Sequence, residues 1–440
     1  MPIELNERSA LETTTMRRVT LRIIPFLMLC YFIAFVDRVN AGFAALQMNH
    51  DLGLSAAEFG LGGGLFYISY VICEVPSNLA MARVGARIWI ARIMISWGIV
   101  AACMALVVGP FSFYAVRLLL GAAEAGFFPG VILYLTYWFP TEYRGRIVAL
   151  FMVAIPLSSF LGSPISAALL QLNGIAGFHG WQWMFVLEAF PAVILGIVAF
   201  FFLADGPAEA GWLTEPQRQW LTGRLAEERS SPVARVRHLS LWQVMTNKYV
   251  LAASLIYAGA SGASQCLSLW QPQIIKSFGL TDMQTGLLNS IPFGVASLLM
   301  LLWGRNSDRM RERKWHTAIP LVLLAASLAS ASLTDALAPT IIILCVAVTA
   351  TYIVKGPFWA LATEWMSAGV AAAAIAQVNA IGNLGGFFGS YLLGAIKDAT
   401  GSYALGLMPL AALSAVGCVL VLSLGRREAQ PETTALSGVH

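Results

Sequence analysis

The sequence predicts an all-α membrane protein, with about twelve transmembrane helices in two six-helix bundles. Three observations carry this prediction. The 440-residue chain is 58% hydrophobic and only 11% charged, and its mean hydropathy is +0.72. Apolar runs of membrane length recur along it, and one charged segment interrupts them near the middle. A hydrocarbon core about 30 Å thick needs roughly 20 apolar residues per helix, which these runs supply.

The apolar runs fall into two sets on either side of the charged segment. Several contain Gly and Pro, which membrane helices tolerate better than soluble helices do. The first run is too long and too charged for a cleaved signal peptide, so we expect it to remain as a membrane anchor. The predicted spans cover residues 20–46, 56–82, 88–109, 111–138, 145–170, 181–204, 247–276, 282–304, 315–334, 337–362, 370–397 and 403–425.

The domain organisation follows from the same pattern. In the charged segment, Thr214-Glu215-Pro216 resembles a helix start and predicts a short amphipathic helix. Short basic turns also follow the second and eighth spans, at equivalent places in the two halves, which is typical of a duplicated chain. The predicted parts are a tail at 1–19, a six-helix bundle at 20–204, a linker at 205–246, a second bundle at 247–425 and a tail at 426–440.

The distribution of Lys and Arg predicts the orientation. All but five of the 27 basic residues fall in the tails, the linker and the loops on one side of the predicted membrane, or in the first five residues of the spans that begin there. The positive-inside rule places that side, and therefore both termini, in the cytoplasm. The net charge of +4 reflects this asymmetry, and no basic stretch carries a nucleic-acid-binding motif. The five exceptions are Arg38, Arg117, Lys276, Lys355 and Lys397.

Four charged residues interrupt the first and fourth apolar runs. Asp37 and Arg38 are adjacent, and Arg117 and Glu124 are seven positions apart, on nearly the same helix face and about 10 Å apart along the axis. A charge at the bilayer centre costs roughly 2.5–3.5 kcal/mol on insertion scales, so it usually faces a wet cavity, a partner or a ligand. The two arginines and two carboxylates together favour a site that binds an anion beside groups that can take up protons. The alternative is a set of ion pairs that only holds two helices together.

Other chemistries have little support in the sequence. The six cysteines are scattered without CxxC spacing, which favours buried apolar side chains over metal sites or disulfides. No nucleophile–base set, metal-ligand cluster or phosphate-binding loop is present in the sequence, so we expect neither an enzyme nor a cofactor.

One loop carries a recognisable motif. Gly304, Asp308, Arg309 and Arg313 match the pattern GxxxDRxxxR, which resembles the loop motif of the major facilitator superfamily. Its counterpart in the first half retains Arg83, Gly85 and Arg87. Ala82 stands there in place of the usual acidic residue. The resemblance implies that these residues form a gating loop.

Longer segments narrow the resemblance to the anion:cation symporter family. They include YFIAFVDRVNAGFA in the first span, RLLLGAAEAGFFPGVILYLTYWFP in the fourth and KGPFWALATEW in the tenth. The resemblance implies a monomeric, proton-coupled importer of organic carboxylates such as tartrate, galactonate, phthalate or hydroxyphenylacetate, in a bacterial inner membrane. It also implies that Arg38 and Arg117 bind the substrate carboxylate and that Asp37 and Glu124 carry protons.

The second half supplies weaker candidates for substrate contacts. Gln265, Trp359, Asn379 and Asn383 could bind or stack on the substrate, although interhelix hydrogen bonds and core packing explain them equally well. The expected partners are a small organic anion, protons and membrane lipid. A drug or metabolite exporter with the same fold is the closest alternative function, and a membrane-embedded enzyme or receptor is a remote one.

Overall fold

The computed structural model describes residues 2–230, 245–365 and 371–424, and every regular element in these residues is helical. Short 3-10 turns cover Met104–Leu106, Leu170–Leu172, Ile175–Gly177, Pro207–Glu209 and Ala331–Leu333. The helices are α1 (Pro2–Leu52), α2 (Ala56–Val84), α3 (Ala86–Cys103), α4 (Pro110–Glu124), α5 (Phe127–Trp138), α6 (Thr141–Leu169), α7 (Gly180–Phe202), α8 (Glu215–Ser230), α9 (Lys248–Lys276), α10 (Asp282–Met310), α11 (Lys314–Ser330), α12 (Leu337–Ile353), α13 (Lys355–Trp365), α14 (Ala371–Thr400) and α15 (Tyr403–Leu424).

The membrane-length segments agree with the prediction. Eleven are long and apolar enough to cross a bilayer, and two of these combine α4 with α5 and α12 with α13. The twelfth predicted span corresponds to α14, which has 30 residues and is about 45 Å long but less apolar. Because α14 packs along α2 and α9, which are both among the eleven, it crosses the same thickness. The all-α membrane fold is therefore confirmed.

The fourth and tenth spans are each interrupted near the middle. Between α4 and α5, Ala125 is extended and Gly126 has φ +86°, in the left-handed region that favours glycine. A Cβ atom at Gly126 would also lie 2.4 Å from Ser77 Oγ, so only glycine fits this turn. Between α12 and α13, Val354 keeps helical dihedral angles (φ −69°, ψ −30°). The first interruption changes the chain direction, and the second is confined to one residue.

The helices form two bundles that meet along three pairs. In the first half α3 packs on α7 and α2 on α4, and in the second half α9 packs on α14 and α11 on α15. Between the halves, α2 contacts α14, α6 contacts α10 and α1 contacts α9. These three contacts surround the central axis, and they leave a cavity between the bundles.

The bundles are closed together at the ends of these helices that lie away from the basic loops. Gln47 of α1 donates from Nε2 to Asp282 Oδ2 of α10 over 2.9 Å. Asp398 of α14 accepts hydrogen bonds from the backbone N–H groups of Ala56 (3.1 Å) and Ala57 (2.7 Å), in the first turn of α2. A carboxylate of the second half therefore caps a helix of the first half. The two halves part toward the basic side.

Of two segments outside the predicted spans, the first is more helical than the sequence predicts and the second contains the predicted helix. The first 19 residues are predicted as a tail, yet α1 begins at Pro2. This part of α1 is held by the hydrogen bond from Tyr143 Oη to Glu12 (2.9 Å) and by the bond from Arg18 to Gln217 of α8 (3.4 Å). In the predicted linker, α8 begins at Glu215, as the Thr-Glu-Pro sequence predicts. Docking of α8 against α1 thus extends the helical structure beyond the membrane segments.

Candidate functional site

A cavity of about 1510 Å³ lies between the bundles and is open on the basic side. Arg17, Tyr143, Arg305 and Arg313 line its mouth. Both halves contribute to its deeper wall, which is mostly aromatic and amide in character. The side chains of this wall that matter below are those of Phe35, Arg38, Tyr67, Tyr70, Glu74, Glu124, Tyr257, Gln265, Tyr352, Lys355, Trp359, Asn379 and Asn383.

An ion pair between Arg38 and Glu124 lies in the wall contributed by the first half. Arg38 Nη2 and Nε both approach the same oxygen, Glu124 Oε1, at 2.6 and 2.7 Å. The Arg38 side chain is 23% exposed, whereas the Glu124 side chain is 2% exposed. Glu124 Oε2 is buried and has no hydrogen-bond partner among the described residues. The guanidinium thus reaches the cavity, and the carboxylate behind it keeps one oxygen open to a proton.

Aromatic rings fix the position of Arg38. Its guanidinium carbon lies 5.0 Å from the ring centre of Phe35, 5.5 Å from that of Phe66 and 5.3 Å from that of Tyr70. Such cation–π contacts stabilise a charge that has left water and leave the N–H groups free to bind an acceptor. A guanidinium held in this way can bind a carboxylate with two parallel hydrogen bonds.

Asp37 is directed away from the cavity, into the first bundle. Its Oδ2 accepts a hydrogen bond from Trp97 Nε1 over 2.6 Å, and its Oδ1 accepts one from Asn40 over 2.9 Å. The residue is 3% exposed. Adjacent residues on a helix point about 100° apart, which explains why Arg38 reaches the cavity and Asp37 does not. The pair predicted as one site is thus divided between a cavity wall and a bundle interior.

Arg117 also lies outside the cavity wall in this conformation. Its Nε and Nη2 donate to the backbone carbonyls of Gly62 (3.3 Å) and Gly63 (3.2 Å) in α2. Its guanidinium carbon is 5.0 Å from the ring centre of Phe66, the ring that Arg38 also contacts. The two arginines therefore share the Phe66 ring as a contact. Here Arg117 ties α4 to α2.

The predicted residues of the second half form two hydrogen-bonded pairs and one aromatic contact. Gln265 Nε2 of α9 donates to Asn383 Oδ1 of α14 over 2.9 Å. Asn379 Nδ2 donates to Glu74 Oε1 of α2 over 3.1 Å, which joins the two halves at the cavity. The rings of Trp359 and Tyr257 lie 5.0 Å apart. All four predicted side chains line the cavity.

Two groups of cavity residues were not in the predicted site. Lys355 lines the cavity at the start of α13, with its Nζ 4.4 Å from the ring centre of Tyr352. Its charge within an apolar run was a visible signal, but position alone could not distinguish a cavity residue from one that reaches the membrane surface. The tyrosines at 67, 70, 257 and 352 carried no such signal, since aromatic residues are common throughout the membrane segments.

The motif loop of the second half is held by its own charges. Arg313 Nη2 lies 2.7 Å from Asp308 Oδ1, and Arg313 Nη1 donates to Ser307 Oγ over 2.8 Å. Arg309 and Gly304 precede this contact on α10, and Arg309 is exposed. Partial burial raises the pKa of Glu312 in the same loop, but hydrogen bonds from the Trp315 backbone N–H and from His316 outweigh it and lower this pKa.

The loop of the first half obtains its acidic partner from a distant part of the chain. Asp205 follows α7 and accepts a hydrogen bond from the backbone N–H of Arg87 over 2.8 Å. Its second oxygen lies 3.7 Å from Arg87 Nε. Gly85 makes the turn with φ +99°, and Arg83 is exposed. Asp205 thus supplies, from a position 118 residues away, a carboxylate that Ala82 lacks.

Comparison with known proteins agrees with this geometry. A family model described as "Major Facilitator Superfamily" matches residues 27–390. A protein of Agrobacterium vitis named "Putative tartrate transporter" is 49% identical over 95% of this chain and 96% of its own. A "Quinolone resistance transporter" of Acinetobacter baumannii is 38% identical, over 93% of this chain and 94% of its own.

The fold is also that of a solved transporter. The crystal structure of a D-xylose-proton symporter superposes with a TM-score of 0.74 at 16% sequence identity, over 93% of this chain and 98% of the other. Family and relatives are carriers and not enzymes. The fold, the motif loops and the sequence relationships together show that this chain belongs to the major facilitator superfamily.

Proposed function

We propose that this protein imports an organic carboxylate, such as tartrate or another hydroxy acid, together with protons across a bacterial inner membrane. One observation carries the proposal: Arg38 reaches the cavity while it is paired with Glu124, a carboxylate that is 2% exposed. The name of the Agrobacterium relative supports the substrate class. The positive-inside rule supports an orientation with both termini, and the open side of the cavity, toward the cytoplasm.

Charge neutrality links the proton to the anion in this scheme. In the empty carrier Arg38 and Glu124 neutralise each other. When Glu124 takes up a proton at Oε2, it stops competing for Arg38, and the anion replaces it as the partner of the guanidinium. In both states the charge of Arg38 is balanced by one negative charge. A carrier that held only the anion or only the proton would bury an unpaired charge, which is unfavourable at this depth.

The other residues take subsidiary roles. The amides of Gln265, Asn379 and Asn383 and the ring of Trp359 contact the hydroxyl-bearing part of the substrate. Asp37 is a second proton position, buried beside Trp97. Arg117 supports the cavity wall through its contact with Phe66. It can reach the anion only if its hydrogen bonds to the α2 carbonyls break. The motif loops, with Asp308–Arg313 in one half and Arg87–Asp205 in the other, mark the surfaces that approach when the basic side closes.

Proton uptake by proteoliposomes with a trapped pH dye tests the function. Tartrate, galactonate, phthalate and hydroxyphenylacetate are added in turn. We expect at least one of them to acidify the interior. Acidification by none of them, with the protein shown to be folded, would contradict the proposal.

The role of Glu124 is tested by Glu124→Gln, which keeps the shape but cannot cycle a proton. We expect this variant to exchange bound anion and to lose accumulation driven by a pH gradient. The control is Glu364→Gln, the same change at an exposed carboxylate, which should transport like the wild type. Accumulation retained by Glu124→Gln would remove Glu124 from the coupling step.

Export is the second candidate function, because one relative is named for quinolone resistance. The same assay separates the two. An antiporter would make the interior more alkaline when substrate is added outside, since substrate and proton would then move in opposite directions.

A further inference from the structure

We propose that Lys355 binds a second carboxylate of the substrate and that the carrier therefore selects dicarboxylates over monocarboxylates. This inference rests on the proposed function and specifies the substrate class of the same site. It begins from the two deep cations of the cavity, Arg38 from the first half and Lys355 from the second.

The position of Lys355 places it inside the membrane segment. It lies at the start of α13, ten residues and about 15 Å of helix before the end at Trp365. A lysine close to a helix end can extend to the membrane surface, whereas this one lies ten residues inside the membrane segment and borders the cavity. It borders the same cavity as Arg38, and Tyr352, Gly356 and Pro357 border it alongside.

The two cations differ in what neutralises them. Arg38 has Glu124 at 2.6 Å. Within the part of the chain that the structure describes, no carboxylate lies within ion-pair distance of Lys355, and its Nζ makes a cation–π contact with the Tyr352 ring. A ring face engages a cation without consuming its three N–H donors. Lys355 is therefore a charge at membrane depth that lacks a counter-ion and faces a cavity, which favours an anionic ligand there.

A single ligand can satisfy both cations. A dicarboxylate bound to Arg38 with one end and to Lys355 with the other would connect the first bundle to the second. The amide pair Gln265–Asn383 lines the same cavity as Lys355 and can hold the hydroxyl groups between the two ends. A monocarboxylate would pair with Arg38 alone and leave Lys355 without an anionic partner. Discrimination then depends on Lys355 and not on Arg38.

Binding of two matched anions tests this inference. Threonate is tartrate with one carboxylate replaced by a hydroxymethyl group. By calorimetry with the purified protein, we expect the wild type to bind tartrate about 10- to 100-fold more tightly than threonate, the range of one charge-assisted contact. Lys355→Met should bind threonate as the wild type does and lose the preference for tartrate. Lys355→Arg, which keeps the positive charge, should retain the preference for tartrate. Lys355→Gln provides a second neutral variant if Lys355→Met is poorly folded.

The outcomes separate the two proposals. A preference for tartrate that survives in Lys355→Met and Lys355→Gln, or a wild type that does not distinguish the two anions, overturns the role of Lys355 and leaves proton-coupled carboxylate import intact. A wild type that binds neither anion, and acidifies with none of the four test substrates, overturns the proposed function itself.

Discussion

The fourth and tenth spans occupy equivalent places in the two halves, yet they meet the cavity in different ways. Each is interrupted beside a charged residue, Glu124 in one and Lys355 in the other. In the fourth span the chain turns at Gly126, Ser77 lies against it, and the charge is paired. In the tenth span the backbone stays helical at Val354. Among the described residues no atom lies within 4 Å of the place that a Cβ atom on Gly356 would take, and the partner of Lys355 is a ring face and not a carboxylate. The first half is thus a rigid frame around an ion pair, and the second presents an adaptable surface.

The largest expected effect is at the turn in the fourth span. Gly126→Ala would force a side chain into the left-handed region and against Ser77 Oγ, at a cost of about 2–5 kcal/mol in the free energy of unfolding. The matched change Gly356→Ala meets no atom of the described part of the chain within 4 Å, and it should be neutral or stabilise the helix by up to about 1 kcal/mol. Melting temperatures of the two purified variants measure the difference. Equal melting temperatures would contradict the contrast between the two interruptions.

A smaller effect is expected at Arg117, which belongs to the rigid frame. Arg117→Ala removes two side-chain hydrogen bonds to the carbonyls of Gly62 and Gly63 and the packing of a buried side chain, and we expect the free energy of unfolding to fall by about 1–3 kcal/mol. Tartrate affinity should fall only several-fold, because this side chain does not line the cavity. The result that would instead place Arg117 on the substrate, as the sequence predicts, is complete loss of binding at an unchanged melting temperature.

The smallest effect is expected on the adaptable side. Gln265→Ala removes a neutral hydrogen bond to Asn383 and should change substrate affinity by about 2- to 10-fold. Because the two amides are bonded to each other, Asn383→Ala should have a similar effect, and the double variant should cost less than the sum. Additive effects would show that the two amides act on the ligand separately.

The sequence was sufficient for the fold because membrane length and hydropathy are local properties. It identified all twelve spans as apolar runs, including residues 370–397, which correspond to α14; eleven of the twelve meet the length and hydropathy of a membrane span in the structure. It also identified Arg38 and Glu124, because charges inside apolar runs stand out individually. Arg38 and Glu124 are 86 positions apart, so their pairing is not a local property of the sequence. From the sequence alone, an ion pair and an anion-binding site were both open interpretations.

Where the sequence was less informative, the direction of a side chain depended on its neighbours. A spacing of seven put Arg117 and Glu124 on one helix face, but close packing of α2 offers carbonyls to Arg117, while α1 offers a guanidinium to Glu124. The partner of Arg87 was not predictable from the loop motif, because Asp205 comes from the end of α7. Lys355 was recognisable as a charge, but its distance from the end of α13 was needed to place it deep in the cavity.

Glu124 has one carboxylate oxygen that can take up a proton, and the number of protons carried in each cycle decides whether transport moves net charge across the membrane. If one proton accompanied a doubly charged substrate, every cycle would move one net negative charge inward, and a membrane potential of 100 mV, negative inside, would oppose it by about 2.3 kcal/mol. A second proton on Asp37 would make the same cycle electroneutral. Uptake can be measured under a pH difference, with and without an imposed potassium diffusion potential. If the potential does not change the uptake, two protons accompany each dicarboxylate.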